Sequence, residues 1–192
     1  MTNDLEKTIE FLNKIGLKVH VMDGVSGFCE GVLIKSGEIF VDPGCRPSSL
    51  LHEAGHIACI PDCYRAFFSD DLRAGMQRAL NELSSLNLEP EHHLERAMMQ
   101  CSDPEATAWA WAAGIAIGLA PEQIILDSEY GGVGAEIRLM LSVSQYFGIN
   151  GLKNAGMCNA GKLVPHEMKY PKMIRWLQSS NVASPELCTD LQ

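Results

Sequence analysis

The fold is decided by the stretch RPSSLLHEAGHIAC, residues 46–59, which contains the pattern H-E-x-x-H. On an α-helix, positions i and i+4 lie one turn apart on the same face. The imidazoles of His52 and His56 would therefore point the same way and could share one metal ion. The spacing predicts a metal-binding helix, with Zn²⁺ as the ion that such a pair most often holds.

The residue between the two histidines and the ends of the stretch support this interpretation. Glu53 is too close to His52 along a helix to serve naturally as a third ligand. A glutamate in this position is instead suited to act as a general base towards a water activated by the metal. Pro47 fits the first turn of a helix, and Pro61 lies just past its end.

A catalytic zinc site usually has three protein ligands, so a third must come from elsewhere in the chain. Glu105 is one candidate, in the sequence SDPE at 102–105, which predicts a helix start with Asp103 as N-cap. Asp62 is the second, ten residues after His52. Glu82, on a predicted helix, is the third, and the residues alone leave the choice open.

The segments before the metal helix predict a small sheet. An amphipathic helix over 3–15 precedes an alternating strand at 17–22. Two β-rich runs, 31–35 and 38–42, flank Ser36-Gly37 and predict a hairpin with a two-residue turn. We therefore expect a small, mainly antiparallel sheet.

The rest of the chain is predominantly helical. Apolar periodicity and turn signals predict helices over 72–86, 91–101 and 135–147, and a further helix that starts at 102–105 and carries small residues at helical spacing as far as Ala116. Together with the sheet, they predict an α+β fold in a single domain over 1–192. Its core would span about 1–125, and a helical C-terminal part about 126–192.

Composition narrows the classes of function. The formal net charge of −9 argues against direct nucleic-acid binding, which usually needs a basic patch. The seven cysteines are odd in number and form no C-x-x-C pair, which favours a reducing compartment. The longest apolar run, 106–120, is too short to cross a bilayer, and the N-terminus does not have the pattern of a signal peptide. We expect a cytoplasmic protein without a membrane segment.

Two motifs together resemble the ImmA/IrrE-type metallopeptidases. These compact, gluzincin-like proteins pair H-E-x-x-H with a later helix of the form E-x-x-A-x-x-F-A. Here LHEAGH at 51–56 is followed by EATAWAWA at 105–112, with Trp111 where the aromatic residue is usually phenylalanine. The segment SQYFGI at 144–149 also resembles a helical stretch of that family.

The resemblance covers roughly residues 17–60 and 100–150, and it implies a zincin-like fold. It further implies a zinc ion bound by three ligands: His52, His56 and Glu105. Glu53 would be the general base, and a regulatory protein such as a transcriptional repressor would be the substrate.

The sequence therefore predicts a zinc-dependent endopeptidase that cleaves a protein or peptide, with Glu53 activating the attacking water. The alternative is a metal-binding regulatory protein with a zincin fold that does not cleave its partner. A hydrolase of small amides is a further alternative. An additional donor to the developing oxyanion is expected, and the candidates are Tyr130, Tyr146, His166 and Tyr170.

Overall fold

The computed structural model describes residues 1–89 and 92–180 of this chain of 192 residues. Within these ranges the fold is α+β, as predicted, with helices predominating over one small sheet. The predicted C-terminal part is described as far as residue 180.

The elements follow one another in chain order. The strands are β1 (Val19–Val21), β2 (Val32–Lys35) and β3 (Glu38–Val41). The helices are α1 (Asn3–Lys14), α2 (Pro47–Cys59), α3 (Leu72–Ser85), α4 (His93–Met99), α5 (Asp103–Ala116), α6 (Pro121–Ile124), α7 (Gly134–Ser142) and α8 (Gly148–Asn154). Short 3₁₀ turns lie at Arg65–Phe67, Tyr130–Gly132 and His166–Met168.

The sheet has the strand order β1-β3-β2 and is mixed. The predicted hairpin is confirmed: β2 and β3 are antiparallel, and Ser36 and Gly37 both have left-handed φ angles, of 50° and 78°. The expectation of a mainly antiparallel sheet is wrong for the other pair, because β1 lies parallel to β3. Residues 22–31 turn around the end of β3, where Asp42 accepts a hydrogen bond from Gly24, so β2 enters on the far side of β3.

The two helices at the centre of the molecule are α2 and α5. Both are buried over most of their length, and they lie so close that a β-carbon at Gly55 would be 2.5 Å from the carbonyl oxygen of Ala106. One hydrophobic core extends from Leu5 in α1 to Tyr170 near the end of the described chain. The H-E-x-x-H residues thus lie on a rigid, centrally packed element.

Tertiary contacts complete the C-terminal end of α2. The half-buried Arg65 donates through Nε to the carbonyls of Ile57 and Ile60, both at 3.1 Å, and through a terminal nitrogen to the carbonyl of Gln178. The amide of Gln178 in turn donates to the carbonyl of Ala58 at 2.8 Å. Carbonyls that lack partners at a helix end are thereby satisfied.

The predicted helix 135–147 is wrong at its C-terminal end. α7 stops at Ser142, Ser144 has a left-handed φ of 55°, and Gly148 begins α8 instead of ending a helix. The reason is packing: a β-carbon at Gly148 would collide with the carbonyl of Pro104 at the start of α5. Only glycine lets the two helix N-termini approach so closely.

No helix in the described ranges has the length and apolar character needed to cross a membrane. The six cysteines within these ranges are free thiols, and Cys188 lies outside them.

Candidate metal centre

The two motif histidines face each other on α2. The Nε2 atoms of His52 and His56 are 3.2 Å apart, one turn along the helix from each other. His56 is buried, and His52 is partly exposed at the surface. Two imidazole nitrogens at this distance, side by side at the edge of the core, form half of a metal site.

Asp103, the first residue of α5, completes a triangle with them. Its Oδ1 lies 3.1 Å from Nε2 of His56 and 3.9 Å from Nε2 of His52. Within the described part of the chain, these three side chains are the group placed to hold a metal ion. Zinc with ligands at about 2.0–2.2 Å in a tetrahedron has corners about 3.3–3.6 Å apart, so the triangle is of the right size for three of them.

The protonation states of the group also fit a metal site. Burial lowers the pKa of His52 to about 4, helped by the neighbouring His56 and opposed by Asp103. The hydrogen bond from His56 is the main cause that lowers the pKa of Asp103. At neutral pH the site therefore presents an uncharged His52 and an ionised Asp103, which are the forms that bind metals.

A chain of hydroxyl groups fixes the tautomer of His52. Thr107 Oγ1 donates its proton in a hydrogen bond of 2.8 Å to the carbonyl of Asp103. It therefore accepts a hydrogen bond from the hydroxyl of Tyr130, 3.0 Å away. Burial raises the pKa of Tyr130, which keeps this hydroxyl protonated. The Tyr130 oxygen, 3.1 Å from Nδ1 of His52, must then accept a hydrogen bond from the Nδ1–H group. Nε2 of His52 is left with a free lone pair directed at His56 and Asp103.

Glu53 lies beside this group on α2 and is buried. The thiol of Cys29, in the segment before β2, is within hydrogen-bonding reach of its carboxylate. Burial, followed by this hydrogen bond, raises the pKa of Cys29, so the thiol stays protonated and donates to Glu53. Among the described residues, this thiol is thus a weak, neutral donor to the carboxylate.

Glu105 is turned away from the histidines. Its carboxylate accepts from the amide of Ser102 at 3.2 Å and from the Ser102 hydroxyl, a capping box in which Ser102, not Asp103, is the N-cap of α5. The side chain also fills the space beside Gly151 of α8, where a β-carbon would collide with it. Glu105 therefore lies between α5 and α8 and supports the turn that carries Asp103.

The other two candidate ligands also lie outside the group. Asp62 Oδ1 accepts from the amides of Ser180 at 2.7 Å and Cys63 at 3.0 Å, and hydrogen bonds from Ser180 are the main cause that lowers its pKa. Glu82 is exposed on α3. Within the described residues, neither carboxylate belongs to the group formed by the two histidines.

The four candidate oxyanion donors have different surroundings. Tyr130 contacts His52, and the Tyr146 hydroxyl lies within hydrogen-bonding reach of Thr107, beside the metal group. Tyr170 is buried and donates to the carbonyl of Ala108 at 2.8 Å, so its role is structural. His166 is exposed and lines a separate cavity.

The sequence pattern predicts Asp103 as a helix cap and does not indicate it as a ligand. A signal was present: Asp103, Ala106 and Ala110 share one face of α5 at helical spacing, and Gly55 lies between the motif histidines. Small residues on both helices mark the surfaces that approach most closely, and these surfaces carry Asp103 and the histidines.

No family model, curated protein or solved structure matches this chain. The likeness to the ImmA/IrrE-type metallopeptidases therefore depends on the quoted motifs alone.

Proposed function

We propose that this protein is a zinc-dependent endopeptidase in which His52, His56 and Asp103 hold the ion. The observation that carries the proposal is the triangle of their ligand atoms, with sides of 3.2, 3.1 and 3.9 Å. The Asp103 side chain is 79% exposed, so the group opens to solvent and leaves room for water or substrate.

When bound there, zinc supplies Lewis acidity and lowers the pKa of a coordinated water towards neutrality. Glu53 supplies the proton transfers. Its carboxylate takes a proton from the water that attacks the peptide carbonyl and passes it to the leaving amine nitrogen. The buried position of Glu53 beside His52 supports this role, since a purely structural metal site has no need of a base there.

Two further side chains keep the reacting groups in place. Tyr130 holds the Nδ1 proton of His52 and so keeps Nε2 available for the ion. The Cys29 thiol restrains the Glu53 carboxylate through a weak hydrogen bond, which a proton transfer can disrupt at little cost. Both act by positioning other groups.

The first prediction concerns the third ligand. Purified wild type, Asp103→Asn and Glu105→Gln are analysed for zinc, iron and manganese by elemental analysis. We expect zinc in the wild type and in Glu105→Gln, and its loss in Asp103→Asn, since an amide oxygen carries no charge to hold the ion. Loss of zinc in Glu105→Gln with retention in Asp103→Asn would show that Glu105 is the third ligand. Iron in the wild type would contradict the assignment of the metal as zinc.

The second prediction concerns the base. Glu53→Gln is expected to retain its zinc and to cleave a library of quenched fluorescent peptides at least about a hundredfold more slowly than the wild type. Equal rates would remove Glu53 from the mechanism. A zinc-loaded wild type that cleaves neither these peptides nor regulators encoded beside it would favour the non-catalytic alternative.

The substrate class follows from the resemblance and is part of the same proposal. A regulatory protein, such as a transcriptional repressor, is the expected target. Incubating such a neighbouring regulator with wild type and with Glu53→Gln, and reading the products by mass spectrometry, tests it directly.

A further inference from the structure

A cavity of about 510 Å³ lies between residues 142–146, α8 and residues 159–170. It is separate from the metal group but close to it. Tyr146 forms part of its wall, and the hydroxyl of that residue reaches Thr107, which also contacts Tyr130 at the metal centre. A ligand bound in the cavity would thus lie next to the candidate active site.

The cavity is basic in a strongly acidic protein. Lys153, Lys162, Lys169 and His166 line it, and no aspartate or glutamate is among the described residues of its wall. No carboxylate of the described chain lies within 4.0 Å of any of the three ammonium groups. The whole chain carries a net charge of −9, so these side chains form a local cluster of positive charge in an acidic protein, and the described residues provide it with no ion-pair partner.

Four exposed apolar side chains belong to the cavity wall or are next to it in the chain, and together they are called the apolar rim here. Val143 and Phe147 have 56% and 62% of their surface exposed, Met168 has 54%, and Leu163 is fully exposed. Val143 lines the cavity, and each of the other three is next to a lining residue in the chain. Exposed large apolar side chains near a cavity are a feature that surfaces for partner binding often have.

We propose that this basic cavity and its apolar rim bind an acidic segment of the polypeptide substrate, one in which carboxylates alternate with large apolar side chains. The inference rests on the proposed peptidase function and adds a specificity site to it. Charge complementarity selects the acidic side chains, and the rim offers contacts for the apolar ones. A free small anion would leave the rim unused.

The test measures binding and does not depend on cleavage. The zinc-loaded Glu53→Gln protein is titrated against a short fluorescein-labelled peptide rich in glutamate and leucine, with anisotropy as the readout. Adding Lys162→Glu and Lys169→Glu should weaken binding about tenfold, because two attractive contacts become repulsive. The matched control adds Lys7→Glu and Lys14→Glu on α1, which change the net charge equally and should alter binding by less than about twofold.

Three further measurements distinguish an acidic peptide from a free anion as the ligand of the cavity. A peptide with lysine in place of glutamate should not bind, and one with serine in place of leucine should bind several-fold more weakly. Equal binding of the serine peptide, or full displacement by inorganic phosphate at low millimolar concentration, would identify a free-anion site and overturn the proposal. Equal weakening by both pairs of substitutions would also overturn it, since net charge alone would then explain binding.

Failure of this inference and failure of the peptidase proposal can be told apart. Loss of peptide binding with intact hydrolysis removes only the specificity site. If the zinc-loaded wild type binds the peptide but hydrolyses nothing, the cavity still binds an acidic segment, and the peptidase proposal is contradicted.

Discussion

At the scale of single residues, the metal centre depends on Tyr130. Its backbone has a left-handed φ of 55°, next to Gly131 at 71°, a conformation that costs a non-glycine residue about 1–3 kcal/mol. The side chain that is presented in this way closes the hydrogen-bond chain from His52 through Thr107 to the Asp103 carbonyl. The strain thus accompanies a contact that orients a candidate ligand.

Replacing this tyrosine tests its role. Tyr130→Phe removes the acceptor for the Nδ1–H of His52, and we expect zinc affinity to fall about 10–100-fold, as it does when a side chain that orients a histidine ligand is lost. Competition with a chromophoric chelator measures this. Tyr170→Phe is the control. It also removes one hydroxyl, but that hydroxyl donates to the carbonyl of Ala108, away from the metal group. If both variants lower zinc affinity equally, Tyr130 has no special part in orienting His52.

At the scale of secondary structure elements, the site is a property of the α2–α5 pair. Asp103 reaches the histidines because Gly55 lets the two helices approach to backbone contact at Ala106. Two residues along α5 correspond to a rotation of about 200°, so Glu105 points to the opposite side, towards Gly151 of α8. The packing of α5 therefore gives its two carboxylates different roles.

Gly55→Ala should disturb both stability and the site. The new methyl group would lie 2.5 Å from the Ala106 carbonyl, so the helices must move apart. We expect the free energy of unfolding to fall by about 1–3 kcal/mol despite the higher helix propensity of alanine, and zinc affinity to fall with it. Urea denaturation and chelator competition measure the two effects. A stabilised variant with unchanged zinc affinity would contradict the close approach.

At the scale of the whole molecule, distant segments hold the metal helix at its end. Arg65 bridges two carbonyls at the C-terminus of α2 and the carbonyl of Gln178, 113 residues further along the chain. The carboxylate of Asp62 binds the amide of Ser180 beside it. The last described residues therefore contribute to the position of α2.

Arg65→Lys tests the contribution of these contacts to stability. A lysine ammonium lacks the planar fork that reaches several carbonyls, so we expect the free energy of unfolding to fall by about 1.5–3 kcal/mol. The control is Arg78→Lys, where an exposed arginine bonds to the single carbonyl of Phe67. Urea denaturation of both variants is the measurement. Equal decreases in the free energy of unfolding would show that the Arg65 contacts at the end of α2 stabilise the fold no more than the exposed Arg78 contact does.

The local elements were predictable where short-range chemistry decides them. The Ser36-Gly37 turn defines its hairpin, and the start of α2 follows from Pro47. The parallel pairing of β1 and the end of α7 at Ser142 were not predictable, because they depend on a loop around β3 and on contact of Gly148 with Pro104. These contacts join residues that are far apart in sequence.

For the candidate site, the sequence by itself determined that His52 and His56 share a face with Glu53 beside them, because helical periodicity alone sets those positions. Only the tertiary structure decided which carboxylate meets the histidines and which proton His52 holds. Both depend on how α5 is rotated against α2 and on where the segment containing Tyr130 lies. Such rotations result from the packing of the whole core, and spacing within one helix does not specify them.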